Sequence, residues 1–165
     1  MSASFRLVDP FLKRPPIVAV ENLPDEMQIL ARQIAAEKSQ KEALRFAYET
    51  LSKKYRGYRL MTFFRLDRLF LSDLATLWKN EGFLQCHHMN YLLRTLLVAS
   101  GQFSADDIES CWTRIWFVSP HQYLVVTFND GTKVEVDLWA KVYGIPFGAH
   151  AHRFHGGSIF AKIEQ

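Results

Sequence analysis

Cysteine is scarce in this chain, with Cys86 and Cys111 the two thiols among 165 residues. Two are too few for a disulfide framework, and they lack the close spacing of a metal-ligand set. Charge of one sign is scarce too. Twenty Lys plus Arg against seventeen Asp plus Glu leave +3, too little by itself to imply a nucleic-acid or membrane partner. Eleven of the basic and seven of the acidic residues precede residue 61, so the mild excess is N-terminal. No apolar run approaches the roughly 20 residues of a membrane span. The opening MSASFRLVDPFLKRPP lacks the apolar block of a signal peptide, which makes the cytoplasm the expected compartment. Internal repeats and low-complexity tracts are absent as well.

What is present is enough for one folded unit. Apolar residues make up 48% of the chain, aromatics 14% and charged residues 22%, a balance that can bury a core and argues against disorder. Residues 1–24 contain Pro10, Pro15, Pro16 and Pro24, which block helix continuation and predict an extended arm. From Asp25 to about Tyr55, Met27, Leu30, Ile34, Leu44, Ala47 and Leu51 recur at helical steps, predicting one long helix or two consecutive ones that Gly57 closes. The stretch Tyr58 to Phe70 is a loop or a strand, since periodicity does not decide. Ser72 is placed to cap a short helix carrying Leu74, Leu77 and Trp78.

After the loop signal Asn80-Glu81-Gly82 comes the clearest helix, QCHHMNYLLRTLLVASG. It has Met89, Leu92, Leu93, Leu96 and Leu97 on one face, and Gly101 stands where it should stop. Trp112 to Val118 and the segment HQYLVVTF-NDG-TKVEVDLW then predict a three-stranded meander, with Ser119-Pro120 as a turn. Residues 25–143 form the core in this division, and 144–165 a Gly- and His-rich C-terminal segment.

Loop length decides which hairpin residues share a face. A two-residue loop at Asp130-Gly131 mixes polar and apolar residues on both faces. A three-residue loop Asn129-Asp130-Gly131, with Gly131 in the left-handed conformation, pairs Phe128 with Thr132. Leu124, Val126, Phe128, Val134, Val136 and Leu138 then form one apolar face, and His121, Tyr123, Val125, Lys133, Glu135 and Asp137 the other. In this register Asp137 is opposite Tyr123, and His121 is its diagonal neighbour at roughly 7 to 8 Å between backbones. A His–Asp hydrogen bond is within reach. It would fix the imidazole tautomer and leave the other ring nitrogen for a nucleophile.

Cys86 is that nucleophile candidate. A thiol at a helix N-terminus faces the positive end of the helix dipole, which favours the thiolate. An adjacent imidazolium favours it further, giving the arrangement of an activated nucleophile. The plainer readings are a small buried cysteine and a surface His–Asp pair on a solvated strand face. Position, partner and chain order together favour the catalytic one, with Cys111 structural.

Cys86 through Gly101, then His121-Gln122-Tyr123-Leu124-Val125-Val126, the turn Asn129-Asp130-Gly131, and Val134-Glu135-Val136-Asp137 resemble the transglutaminase-like superfamily of papain-fold thiol enzymes. The resemblance covers about residues 70 to 140. It departs at His87 and His88, where members often carry a small residue after the nucleophile, and at Gln122, where an aromatic often follows the His. The resemblance implies an α+β fold with helices packed against an antiparallel sheet in a transglutaminase-like or papain-like core. It also implies a thiol-dependent hydrolase (peptidase or amidase) or acyltransferase acting on a protein or peptide amide. Cys86 would be nucleophile, His121 general base and acid, and Asp137 the orienting carboxylate. The Cys86 backbone N–H and a second donor, with Gln85 and Trp78 both open, would hold the oxyanion.

Other readings weigh less. Cys86, His87 and His88 point about 100° apart along a helix and do not converge on one ion. His150, His152 and His155 read as a flexible tail before a ligand set, so no metal or cofactor is expected. Lys53, Lys54, Arg56 and Arg59 alternate with Tyr55 and Tyr58 in a patch able to bind nucleic acid, but read better as a solvated helix terminus. The alternative from another class is a catalytically silent module that holds a peptide on the same fold. It predicts an unreactive Cys86 and unchanged peptide affinity in Cys86→Ala. Oligomeric state is not set by the sequence.

Overall fold

A computed structural model describes residues 12–58, 73–115 and 119–152. The architecture is α+β. Helices α1 (Asp25–Ala35) and α2 (Gln40–Lys54) are followed by the two-residue strand β1 (Tyr55–Arg56). Then come α3 (Leu74–Lys79), β2 (Gly82–Phe83) and α4 (Cys86–Ala99), before β3 (Ile108–Ile115), β4 (Ser119–Thr127) and β5 (Lys133–Val136). β1 and β2 pair in parallel, and β3-β4-β5 form the antiparallel meander.

The N-terminal helical stretch is two helices. Ser39 accepts a hydrogen bond from the Glu42 N–H at 3.2 Å and starts α2, in a Ser-x-x-Glu pattern that is a helix-start signal in its own right. α2 ends at Lys54, before Gly57. Gly57 does something else: a Cβ there would lie 2.3 Å from the Trp139 carbonyl oxygen and 2.5 Å from its ring. Because a backbone atom cannot rotate away, Gly57→Ala is expected to destabilise the chain by about 1–3 kcal/mol. A urea midpoint within error of wild type would contradict that.

Four further expectations change. The α3 cap is Asp73, whose carboxylate accepts from the Thr76 N–H at 3.0 Å; Ser72 lies outside the described residues, as do residues 59–70 of the undecided aromatic stretch. β3 begins at Ile108 instead of Trp112, because a capping box between Ser104 and Asp107 launches it directly. Residues 116–118 lie outside the described residues. Ser119 and Pro120 belong to β4 and pair with Ile115 and Arg114. Finally, α4 has no solvent-facing stripe over its middle: every residue from His88 to Leu97 is buried, so it is the central helix of the fold.

The hairpin has the register that the three-residue loop requires. Leu124 pairs with Val136 and Val126 with Val134. The Phe128 N–H donates to the Thr132 carbonyl at 2.9 Å, and Gly131 has φ +79°. Leu124, Val126, Val136 and Leu138 are fully buried. Asn90 on α4 donates to the Gln122 carbonyl at 2.9 Å, which docks the central helix on β4.

The arm packs along β3. The Ser110 N–H donates to the Lys13 carbonyl at 2.7 Å. Arg94, buried in α4, donates to the Pro15, Ala105 and Ile108 carbonyls at 2.6, 3.1 and 3.3 Å. Among the described residues, no helix is long and apolar enough to cross a membrane.

Candidate functional site

Cys86 is the first residue of α4, with Gln85 as N-cap. The first N–H groups of a helix have no acceptor inside it, so the Cys86 backbone N–H and the thiol share the positive end of the dipole. The α4 N-terminus meets the start of β4, and His121 and His87 stand close enough to the thiol to favour its ionised form.

His121 is 2% exposed and Asp137 2%. The diagonal pair is therefore buried, not the solvated strand pair of the plainer reading. His121 Nε2 lies 2.7 Å from Asp137 Oδ2, which leaves Nδ1 as the ring nitrogen for the thiol. Asp137 accepts twice more: from the Ala140 N–H at 3.0 Å on Oδ1, and from the Ala151 N–H at 3.0 Å on Oδ2. A buried carboxylate needs such donors to stay charged. Trp139, held close by Gly57, covers the imidazole at 5.2 Å between ring centroids.

The electrostatics follow from this packing. Burial opposes ionisation of Cys86, but the hydrogen bonds and positive charge of His121 and His87 outweigh it and bring the thiol down to about 6. Burial also opposes the charged imidazole, but Asp137 and then Cys86 outweigh it and push His121 up to about 10. A thiolate–imidazolium pair is thus favoured between those two values. Cys111 behaves in the opposite way. Burial and the nearby Glu109 push its thiol up, so the two cysteines are chemically distinct.

Not every proposed site residue is brought in. Trp78 donates its indole N–H to Glu26 Oε2 at 2.6 Å and lies under the Lys54 ammonium at 3.9 Å from the ring centroid. Its N–H is committed to tying α1 to α3, which removes it as an oxyanion donor. Gln85 stays beside the thiol and is buried.

Residues 144–152, placed by the sequence in a Gly- and His-rich tail, supply Ala151 to the site. His150 is not a loose tail residue either: its Nδ1 lies 2.7 Å from Glu135 Oε2, and its ring stacks on Tyr123 at 3.9 Å. His155 lies outside the described residues. Sequence reasoning did not find the contributions of Trp139, Ala140, Ala151 and His87. The Ala140 bond had a signal, an Asp three residues before a helical turn. The Ala151 bond had none.

No family model, curated protein or solved structure matches this chain. What the site can do is therefore read from its own atoms.

Proposed function

We propose that the chain is a thiol-dependent amide hydrolase or acyltransferase on a transglutaminase-like core, acting on a protein or peptide amide through a Cys86 acyl-enzyme. One observation carries this: a buried, fully hydrogen-bonded Asp137 grips Nε2 of His121, which leaves the other ring nitrogen for the Cys86 thiol at the N-terminus of a buried helix. A cysteine kept only for packing would have no use for a buried ion pair, which needs compensating bonds.

In the first half-reaction the Cys86 thiolate attacks the amide carbonyl carbon. A C–S bond forms, and the carbonyl π electrons move onto oxygen, near the Cys86 backbone N–H. The imidazolium of His121 then gives its proton to the amide nitrogen, the C–N bond breaks and the amine leaves. In the second half-reaction neutral His121 takes a proton from water or from an acceptor amine as it attacks the thioester. The C–S bond breaks and the thiolate is restored. Asp137 stabilises the imidazolium of the resting state and the one re-formed as the thioester is attacked, and it orients the neutral ring in the acyl-enzyme. Gln85 is the remaining candidate for the second oxyanion donor.

The first test is alkylation by iodoacetamide with peptide mapping. Cys86 is expected to reach half-maximal rate near pH 6 and to outpace Cys111 across neutral pH. In His121→Ala that midpoint should move toward the ordinary thiol value of about 8.5. Equal, slow labelling of both cysteines would sink the enzyme reading and favour a silent peptide-binding module. On an amide substrate found by profiling wild type against Cys86→Ser, turnover should rise through about pH 6 and fall through about pH 10. The sign is set by the pair: acid protonates the thiolate, and base removes the proton needed by the leaving amine.

A further inference from the structure

Residues 144–152 cross the end of the sheet that holds the His121–Asp137 pair. The segment leaves its helical turn through Gly144, which has φ +83°. Phe147 packs edge-on against Tyr48 at 5.1 Å, and Ala151 is buried beside Asp137. The group that touches the site is a backbone N–H, so its aim depends on the side chains that hold this stretch. Next to it stands His150, bonded to Glu135 and lying parallel to the Tyr123 ring at an angle of 4°. Tyr123 precedes Leu124, the β4 partner of Val136, and Glu135 pairs with Val125, so this anchor sits on the strand pair that carries His121 and ends beside Asp137.

We propose that His150 is a positioning residue: stacked on Tyr123 and bonded to Glu135, it holds residues 144–152 over the His121–Asp137 pair and aims the Ala151 N–H at Asp137 Oδ2. The proposal rests on the reading that Cys86, His121 and Asp137 act together. A partly exposed His–Glu pair contributes little on its own. Its weight here comes from location, because His150 is adjacent to Ala151, which is buried and donates to Asp137.

Without the anchor, water reaches the pair and screens both halves of it. The titratable groups acting on the couple are Cys86 and, through it, His87 from α4, and Tyr48 from α2; Glu135, Tyr123 and His150 make up the neighbouring anchor. Screening returns both partners toward their ordinary values, so the thiol rises as the imidazolium falls. His150→Ala is therefore expected to raise the pH of half-maximal Cys86 alkylation by about one unit. Glu135→Gln, which keeps the ring stack and an acceptor oxygen, should stay within about 0.3 unit. Tyr123→Leu removes the stack from the strand side, with residues 144–152 unaltered, and should move the midpoint as His150→Ala does; it decides the matter if His150→Ala does not fold.

A folded His150→Ala or Tyr123→Leu with the wild-type midpoint overturns the proposal, even if its melting temperature has dropped. That result differs from failure of the underlying reading. If wild-type Cys86 labels like Cys111 and ignores His121→Ala, the site itself is inactive. If wild type labels near pH 6 and the anchor variants match it, only the role of His150 is lost.

Discussion

Asp137→Asn is expected to slow turnover on an amide by roughly 10²- to 10⁴-fold, the range general acid–base machinery supplies. The same change should also destabilise the fold, because of hydrogen-bond arithmetic. Asp137 offers two acceptor oxygens to three donors: His121 Nε2, the Ala140 N–H and the Ala151 N–H. Asparagine has one acceptor oxygen. If that oxygen serves His121 and Ala151, the amide group points its own hydrogens at the Ala140 N–H. A buried donor without an acceptor costs about 1–3 kcal/mol, which is several degrees of Tm in a chain of this size.

The lost charge acts separately. A neutral amide does not stabilise the imidazolium, so the Cys86 alkylation midpoint should climb by about two units toward the ordinary thiol value. The midpoint is the informative reading, because a thiolate of higher pKa is intrinsically more nucleophilic and partly offsets its smaller population in any single-pH rate. Asp137→Asn with a wild-type midpoint would mean that the carboxylate holds residues 137–151 together without supporting the thiol.

Arg94→Leu should be the most destabilising single change away from the site, by about 3 kcal/mol or more. Arg94 is 2% exposed and donates to three carbonyls from separate stretches: Pro15 in the arm, Ala105 in the turn before β3, and Ile108 at the start of β3. Leucine fills part of the volume but strands all three acceptors in a buried place. Arg94→Lys should recover less than half of the loss, since one compact ammonium does not span a fork of three carbonyls. Urea denaturation measures both. Backbone amide exchange at Ser110, whose N–H donates to the Lys13 carbonyl, should accelerate in Arg94→Leu as the arm detaches. A loss below about 1 kcal/mol would show that water replaces the guanidinium at those carbonyls without penalty.

The two predictions differ in how much of their basis was visible in the linear chain. Asp137 and His121 come together in the linear chain itself, because one loop length gives a clean apolar face and the other does not. Arg94 had no such signal. Its position in an apolar helix reads as an interruption until Pro15, seventy-nine residues earlier, is found beside it. Trp78 shows the reverse error: the resemblance leaves it open as a second oxyanion donor, but fifty-two residues away Glu26 takes its N–H.

By itself, the sequence determined that helices precede a three-stranded meander, the start of α4 at Cys86, and the register that sets Asp137 diagonal to His121, but not the parallel β1–β2 pair. These are local or period-2 properties, in which neighbours along the chain or across one tight turn decide the outcome. Tertiary structure decided whether those residues form a site. It buried the His–Asp pair under Trp139, brought the Ala151 N–H to the carboxylate, and committed Trp78 elsewhere. Burial and long-range hydrogen bonding depend on segments that meet only after folding. A register can therefore place a His–Asp pair, but the packing around it decides whether that pair is buried and fully bonded.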